Sequence, residues 1–375
     1  MEISISHALG RSPRCARSRR SRALAAASAA SAGLLFLAGC SSSDESGADG
    51  ESQSFVMVSW GGTWTEATKE YLTDPFTEET GIEVEIVENS SYTAGLEAQA
   101  EAGRIEWDLL DGTSAQDAYM LDAEGLLATV PDDVKEAVED ALFDGALEED
   151  FGVHGPGLGY VLACTDAVTS CPENMAEFFD TEDGVRYTSI ATLPLLNLTI
   201  AEMANGVAAE DISTHEIDMD RAFATLEALS DSVPVWWESG AQLVQIFESD
   251  EVDLGISYNG RAFELEDAGI VTEINWNEGI YNSGFWNVPA DAPNADAAWE
   301  FVKWWANNPE AQANWAMATG YSVSSDAAFD YLDEGVAETL PDWPSNREGL
   351  AVMNYQWYVE NYEEVNARWQ EFLLG

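Results

Sequence analysis

Apolar and polar positions follow two different periods after residue 53, and their succession predicts an α/β chain. FVMVSW, residues 55–60, is an apolar run typical of a buried strand, and IEVEIVE, residues 82–88, alternates apolar and acidic residues as a half-exposed strand does. Between them, residues 63–80 have helical spacing and end before Gly81, a common helix terminator. Strand, helix and strand in this order predict a doubly wound sheet.

A glycine-rich segment, GVHGPGLG at residues 152–159, separates this set from a second α/β set with the strands RYTSI, PVWW, VDLGISY and IVTEINW. The extended segment SGFWNVP then leads back to further helices. We therefore predict two doubly wound α/β lobes joined by two hinge crossings, with a cleft between them. Lobe 1 is expected to comprise residues 54–155 and 284–375, and lobe 2 residues 156–283. The C-terminal helices could pack on either lobe.

The amino terminus has the features of an export signal. Several arginines precede the uncharged apolar stretch 23–39, which ends in LAGC at Cys40 and is followed by the polar tract SSSDESGADGES. This pattern predicts a lipoprotein signal peptide over residues 1–39, lipidation of Cys40 and a flexible linker over residues 40–53. An ordinary signal peptide cut nearby, an uncleaved anchor and a twin-arginine signal are the alternatives. Each version places the domain outside the cytoplasm, and the first attaches it to the membrane through lipid alone.

Charge narrows the classes of partner. Removal of residues 1–39 takes away six arginines and one glutamate, which leaves nine basic residues against 68 acidic ones. A surface this acidic excludes nucleic acid as a partner. Because the acidic residues are spread evenly along the chain, we interpret them as an adaptation to high salt rather than as a cation-collecting surface.

The sequence offers little for catalysis or for a cofactor. Cys164 and Cys171 are expected to form a disulfide in an oxidising compartment, and no histidine lies near them to complete a metal site. Neither HExxH nor GxSxG occurs, and GPGLGY has Tyr160 where a dinucleotide fingerprint needs glycine. We predict a protein that is not an enzyme and has no cofactor. A glycoside hydrolase or a carbohydrate-binding lipoprotein is the alternative, because acidic residues and 14 tryptophans are available.

Two pairs of aromatic residues stand at predicted strand ends, where a doubly wound sheet opens its binding crevice. Trp60 and Trp64 flank the first strand-to-helix turn, and Trp236 and Trp237 precede Glu238 at another. A ring at such a place can stack on a ligand or cover a cation. Because neighbouring strand residues point to opposite faces, we expect one ring of each pair, Trp237 in the second, to face the ligand.

Five further residues at strand ends are candidate ligand contacts. Gly61 and Gly62 either form a tight turn or leave backbone N–H groups open to a ligand, and both can hold. Asp111 ends the strand WDLLDG and could bind a cationic group, and Glu238, which follows the second tryptophan pair, could likewise hold a charged end of the ligand. Arg261 follows SYNG and could clamp a carboxylate or phosphonate, or alternatively form an internal salt bridge.

The chain resembles the spermidine/putrescine-binding class of ABC-importer solute-binding proteins over residues 54–375. The resemblance rests on the segments WGGTW, PFTEETGIEVEIVE, WDLLDG, GLGYVLACTD, PENMAEFFD, VPVWWESGAQ, VDLGISYNGRAFEL, NVPADAPNADAAWEFVKWW and TGYSVSS. It implies a type II periplasmic-binding-protein fold whose two lobes close on a solute and deliver it to a membrane permease. It also implies that Trp60, Tyr258 and Tyr321 line the site.

The chain departs from that class where the class holds amines with carboxylates. The matching positions carry leucines, Asn197, Asn282 and Gly284, and Arg261 replaces a small polar residue. The sequence therefore predicts a small charged organic solute, either a polyamine or an amine-containing zwitterionic compound. The expected partners are this solute and an ABC permease, and the protein is expected to be a monomer.

Overall fold

The computed structural model describes residues 53–89, 91–143, 146–147, 149–180 and 182–375. The signal peptide, Cys40 and nearly all of the linker predicted from the sequence lie outside these residues. No helix in the described ranges is both long enough and apolar enough to cross a membrane. Cys164 and Cys171 form a disulfide at the end of the fourth strand.

Nine strands in the described part of the chain form a mixed sheet. They are β1 (Ser54–Ser59), β2 (Glu83–Glu88), β3 (Leu109–Ser114), β4 (Val153–Thr165), β5 (Tyr187–Ile190), β6 (Val235–Trp237), β7 (Leu254–Tyr258), β8 (Val271–Asn287) and β9 (Ala351–Val352). Their order is β2-β1-β3-β8-β4-β7-β5-β6, with β9 beside β8. The pairs β1–β2, β1–β3, β5–β6 and β5–β7 are parallel, as expected for doubly wound sheets.

Helices cover both faces of the sheet. They are α1 (Gly62–Thr68), α2 (Asp74–Thr80), α3 (Tyr92–Glu101), α4 (Ala115–Ala123), α5 (Asp132–Val138), α6 (Met175–Phe179), α7 (Pro194–Ala204), α8 (Met219–Ser230), α9 (Gly240–Glu248), α10 (Asn259–Asp267), α11 (Ala295–Ala306), α12 (Pro309–Thr319), α13 (Glu334–Ala337), α14 (Pro344–Arg347) and α15 (Tyr355–Leu374). A π-helical turn, Lys69–Thr73, joins α1 to α2, and Gly81 ends α2 in the left-handed conformation. Short 3₁₀ helices span Ala209–Thr214 and Asp326–Tyr331.

Two long antiparallel strands, β4 and β8, connect the two parts of the sheet. The carboxyl-terminal end of β8 pairs with β3, and the carboxyl-terminal end of β4 pairs with β7. The register between β4 and β8 shifts between Gly155 and Leu158, within the glycine-rich segment. The segments IVTEINW and SGFWNVP, which the sequence suggests are separate, form one strand of 17 residues. The strands on either side of this crossing are those assigned to lobes 1 and 2, whose boundaries stay a prediction.

An aromatic core supports the first set of strands. The rings of Phe55, Phe76 and Phe301 meet at centroid distances of 5.2 to 6.3 Å. Trp299 and Trp305 of α11 are buried here, and Trp304 packs against them partly buried. This core supports β1, the strand that precedes Trp60.

The C-terminal helix α15 contacts both parts of the fold. Tyr355 at its start stacks on Tyr119 of α4, with ring centroids 5.4 Å apart. Near its end, the Trp369 indole N–H donates to the carbonyl oxygen of Ala191, at 2.6 Å. The helix therefore spans the back of the crossing strands.

Candidate functional site

A cavity of about 730 Å³ opens at the carboxyl ends of the parallel strands, between the two parts of the sheet. Residues at the first turns of α1, α4, α7, α9 and α10 line it, together with the crossing strands β4 and β8. This volume is typical of small-molecule sites. We call this cavity the cleft.

Trp60 lies in the turn that follows β1. Gly61 and Gly62 have φ angles of 93° and 57°, so the chain reverses here through conformations that favour glycine. The Trp60 indole N–H donates to the carbonyl oxygen of Gly112 at 3.0 Å, and its ring packs on Tyr92 with centroids 4.4 Å apart. Trp60 is therefore held at one end and presents the rest of its ring to the cleft.

The interpretation of the glycine pair as open N–H donors is not supported at either residue. The Gly61 N–H donates to the hydroxyl of Thr65 at 2.9 Å, so it is already engaged. Gly62 is exposed but does not line the cleft. The pair serves the turn that positions Trp60.

Trp64 is fixed by a buried carboxylate beneath the cleft. Oδ2 of Asp111 accepts hydrogen bonds from the Trp64 indole N–H at 2.9 Å, from the Ser59 hydroxyl at 2.7 Å and from the Thr68 hydroxyl at 3.2 Å. The Trp64 ring contacts Tyr321, with centroids 5.4 Å apart. Asp111 thus acts on the cleft through Trp64.

Burial raises the pKa of Asp111 to about 6, although the hydrogen bonds from Ser59, Trp64 and Thr68 oppose the shift. A carboxyl whose pKa is raised on folding favours the folded state most below its unfolded pKa, and this contribution is lost as the pH rises through the folded value. We expect the free energy of unfolding of the wild type to fall by about 3 kcal/mol relative to Asp111→Asn between about pH 4 and pH 7. Urea denaturation of both proteins across this range measures the difference. Parallel stability curves would contradict the expectation.

The opposite wall is built on β7 and β4. Tyr258 at the end of β7 and Tyr160 of β4 are register partners, and their rings lie 5.3 Å apart. Burial raises the pKa of both hydroxyls, that of Tyr258 to about 12. Both tyrosines therefore stay protonated at neutral pH and can donate or accept hydrogen bonds.

Arg261 lies in the first turn of α10. Its side chain is 44% exposed and pairs with Glu264 one turn later, with Nη1 and Oε2 2.5 Å apart. The guanidinium passes over Gly240, where an added Cβ would lie 3.1 Å from Nε. A surface pair of this kind contributes little to stability. The guanidinium is thus available to a ligand at small cost.

Tyr321 connects the two walls. It contacts Trp64 on one side, and the positive charge of Arg261 acts on its hydroxyl, opposing the rise in pKa that burial causes. The next residue, Ser322, accepts a hydrogen bond from the Gly157 N–H in β4. The loop after α12 is therefore pinned to the crossing strand.

Six of the ten residues that the sequence nominates as ligand contacts line the cleft. They are Trp60, Gly61, Trp64, Tyr258, Arg261 and Tyr321. The expectation that one ring of each tryptophan pair faces the ligand does not describe the first pair, because both rings line the cleft. Trp60 lies after β1 and Trp64 lies in a helix, so strand alternation does not apply to them.

Asp111, Trp237, Gly62 and Glu238 do not line the cleft, which corrects their placement. Asp111 and Trp237 are fully buried, and the Trp237 indole N–H donates to the Ile256 carbonyl oxygen while its ring packs edge-on against Tyr258. Glu238 is exposed away from the cleft. Strand alternation does send the second tryptophan pair to opposite faces, but each face is covered.

Two residues with evident roles were missed by the sequence reasoning. Tyr160 enters the sequence prediction only as a mismatch to a nucleotide motif, because its pairing with Tyr258 joins two strands that are far apart in the chain. Asp117 lines the cleft at the start of α4, where Ser114 and Thr93 donate to its two carboxylate oxygens at 2.7 and 3.0 Å. The spacing of Ser114 and Asp117 is a helix-start signal that could have indicated its position.

A cleft between two α/β units, walled by aromatic rings and helix first turns, suits the capture of a small solute. A model of the bacterial extracellular solute-binding protein family matches residues 71–344. The chain belongs to this family. The family part of the sequence resemblance is thereby confirmed, while specificity for polyamines stays a prediction.

Relatives of this solute-binding protein cover nearly its whole described length. The γ-aminobutyric acid-binding protein of Pseudomonas aeruginosa is 27% identical over 326 residues, which is 86% of this chain and 91% of that protein. A structure of the Atu4243–GABA receptor is 29% identical, with a TM-score of 0.75 over 85% of this chain and 97% of that one. An ABC transporter substrate-binding protein from Bradyrhizobium japonicum is 26% identical, with a TM-score of 0.76 over 85% and 99%. These similarities support the α/β fold and a role in transport rather than in catalysis.

Proposed function

We propose that this chain is the receptor of an ABC importer for a compact zwitterion with a carboxylate at one end and an ammonium at the other, such as an ω-amino acid. In the proposal, Cys40 anchors it by lipid to the outer face of the membrane, and it passes the solute to a permease. The solute binds between lobes 1 and 2.

The observation that carries the proposal is the charge of the cleft wall. Among the described residues that line the cleft, Arg261 is the one basic side chain. It lies in the first turn of α10, which has no side-chain cap, and helix N-termini favour anions. A carboxylate can accept hydrogen bonds there from the guanidinium.

The opposite end of the ligand is assigned to the first wall. Asp117 is the acidic residue on that wall, and the rings of Trp60 and Trp64 supply aromatic faces beside it. An ammonium group is favoured both by a carboxylate and by the face of an indole. Because its two ends contact different walls, such a ligand would favour the closed arrangement of the lobes.

A polyamine fits this wall less well. It carries two or more ammonium groups and no anion, so it would bring one ammonium towards Arg261. Of the two carboxylates among the described cleft-lining residues, Glu264 is paired with Arg261, which leaves Asp117 for one ammonium and no carboxylate for a second. The similarity to γ-aminobutyric acid-binding relatives also favours a zwitterion.

Thermal unfolding of the purified protein tests the proposal, since a ligand that binds the folded state raises Tm by mass action. We expect γ-aminobutyric acid, at about 100 times its Kd, to raise Tm by about 4 °C. Putrescine and cellobiose at equal concentrations should have smaller effects. A rise with putrescine alone would favour the polyamine assignment, and a rise with cellobiose alone a carbohydrate binder.

A further inference from the structure

A second cavity of about 550 Å³ lies behind the crossing strands, on the face opposite the cleft. Strand alternation separates the two spaces along β8. The side chains of Tyr281 and Phe285 line the second cavity, whereas Asn282 and Gly284 line the cleft. Ser283 borders both. We call the second space the rear cavity.

Both parts of the fold contribute walls to the rear cavity. Tyr119 of α4 lies on the side of the first strand set, and Thr214 and Asn354 lie on the other side. Since β4 and β8 run between the cleft and the rear cavity, a rotation about these strands that narrows the cleft moves the rear walls apart. A motion that closes the cleft therefore widens the rear cavity, and the reverse motion narrows it.

Two buried polar atoms at the rear cavity have no hydrogen-bond partner within the described residues. One is Oδ2 of Asp342, whose side chain is 2% exposed. The other is Nδ1 of His154, whose Nε2 lies 3.1 Å from the Ser283 hydroxyl. Buried polar atoms are normally hydrogen-bonded, and because both residues line the rear cavity, a polar group bound there could satisfy them.

Charged groups of both signs line the rear cavity. Arg347 lies over the Phe143 ring, 4.5 Å from its centroid, and faces a wall that also carries Asp342. Glu149 accepts a hydrogen bond from the Tyr119 hydroxyl. Burial and the nearby Arg347 lower the pKa of His154 to about 4, so its imidazole is neutral at pH 7. A ligand carrying one net charge would meet a like charge here.

The remaining lining groups suit a neutral, hydroxyl-bearing molecule. Tyr119 and Tyr355 form a stacked pair, which offers aromatic surface to C–H groups. Thr214 is exposed at the rim, and Asn354 and Gln356 add amide donors and acceptors. One hydroxyl group of such a molecule can donate to Oδ2 of Asp342, and another can bond to Nδ1 of His154.

We propose that the rear cavity is a second binding site, for a compact neutral polyhydroxyl compound, and that its occupancy opposes closure of the cleft. A molecule that contacts both rear walls resists their separation and so weakens binding at the cleft. By linkage the effect is reciprocal. The coupling part rests on the solute-binding function proposed above, whereas binding in the rear cavity does not.

Calorimetric titration with myo-inositol as the probe tests the site directly. We expect saturable binding at millimolar concentrations to the wild type and equally to Arg261→Ala, whose change is in the cleft. Thr214→Trp fills the exposed rim and Asp342→Asn replaces one of the two carboxyl oxygens by an amide donor, so each should weaken inositol binding by about tenfold or more. Thr272→Trp, an exposed change on β8 outside both cavities, should not. Inorganic phosphate, an anion, and tetramethylammonium, a cation, should bind no more than weakly.

The same titrations decide against the proposal in several ways. Absence of saturable inositol binding, or binding that Thr214→Trp and Asp342→Asn leave unchanged, overturns the rear site. Tighter binding of either charged probe overturns the ligand class. For the coupling, saturating inositol should raise the Kd for γ-aminobutyric acid about fivefold in the wild type and leave it unchanged in Thr214→Trp. An unchanged or lowered Kd in the wild type overturns the opposition to closure.

Discussion

Replacing Arg261 by alanine should weaken the binding of γ-aminobutyric acid by about 50-fold, because a hydrogen bond to a charged group contributes about 1.5–3 kcal/mol. The variant leaves the ligand carboxylate facing the cleft wall with no guanidinium among the described lining residues. Arg261→Lys retains the charge and loses the planar fork, so we expect an intermediate loss, about tenfold. Isothermal titration of the three proteins provides the comparison.

The fold should not depend on Arg261. Its pair with Glu264 is exposed on both sides, and such pairs contribute little to stability. Arg104→Ala is the matched control, since Arg104 forms an exposed pair with Glu106 and lies outside the cleft lining. Both alanine variants should unfold within about 0.5 kcal/mol of the wild type. Equal affinity in Arg261→Ala and Arg104→Ala would show that the carboxylate does not bind Arg261.

Replacing Gly112 by alanine should lower the free energy of unfolding by about 3 kcal/mol and also weaken ligand binding, through strain and overpacking. Gly112 has a φ of 63°, and an added Cβ would overlap Cζ2 of Trp64. The Trp64 ring cannot retreat easily, because Asp111 holds its N–H and Trp315 packs edge-on against it at 4.7 Å. The ring must therefore move towards the cleft. Urea denaturation and ligand titration measure the two effects.

Gly103→Ala separates the two causes. Gly103 has a φ of 68°, nearly the same as Gly112, but nothing lies within 4 Å of an added Cβ. It should therefore show the backbone strain alone, about 1 kcal/mol, with ligand affinity unchanged. If Gly112→Ala has the same free energy of unfolding as Gly103→Ala, the contact with Trp64 does not contribute to the loss of stability.

The elements that the sequence predicts well are those with strong local signals. The apolar run of β1, the alternation of β2 and the Gly81 terminator of α2 depend on neighbours along the chain, and the structure contains all three. The position of the cleft also follows from local pattern, because parallel strands expose their carboxyl ends on one side of a sheet. Trp60 and Arg261 lie near such ends and reach the cleft.

The local sequence does not predict which way a side chain at a strand end points. Trp60 and Trp237 both lie at the ends of parallel strands, yet one lines the cleft and the other is fully buried. The difference comes from distant residues. Tyr258 of β7 covers the Trp237 ring, and the other ring of that pair, Trp236, packs edge-on against Trp369 and Phe372 of α15. No local pattern shows which face of β6 these residues cover.

Periodicity and composition alone were therefore enough to predict an α/β fold, a binding crevice at the strand ends and the tryptophans Trp60 and Trp64 of its aromatic wall. The packing of segments far apart in the chain settled the rest: the burial of Asp111 and Trp237, the pairing of Tyr160 with Tyr258 and the rear cavity around His154. The physical reason is that a secondary structure element depends on residues a few positions away. Burial and charge balance depend on whatever surface the folded chain brings against them.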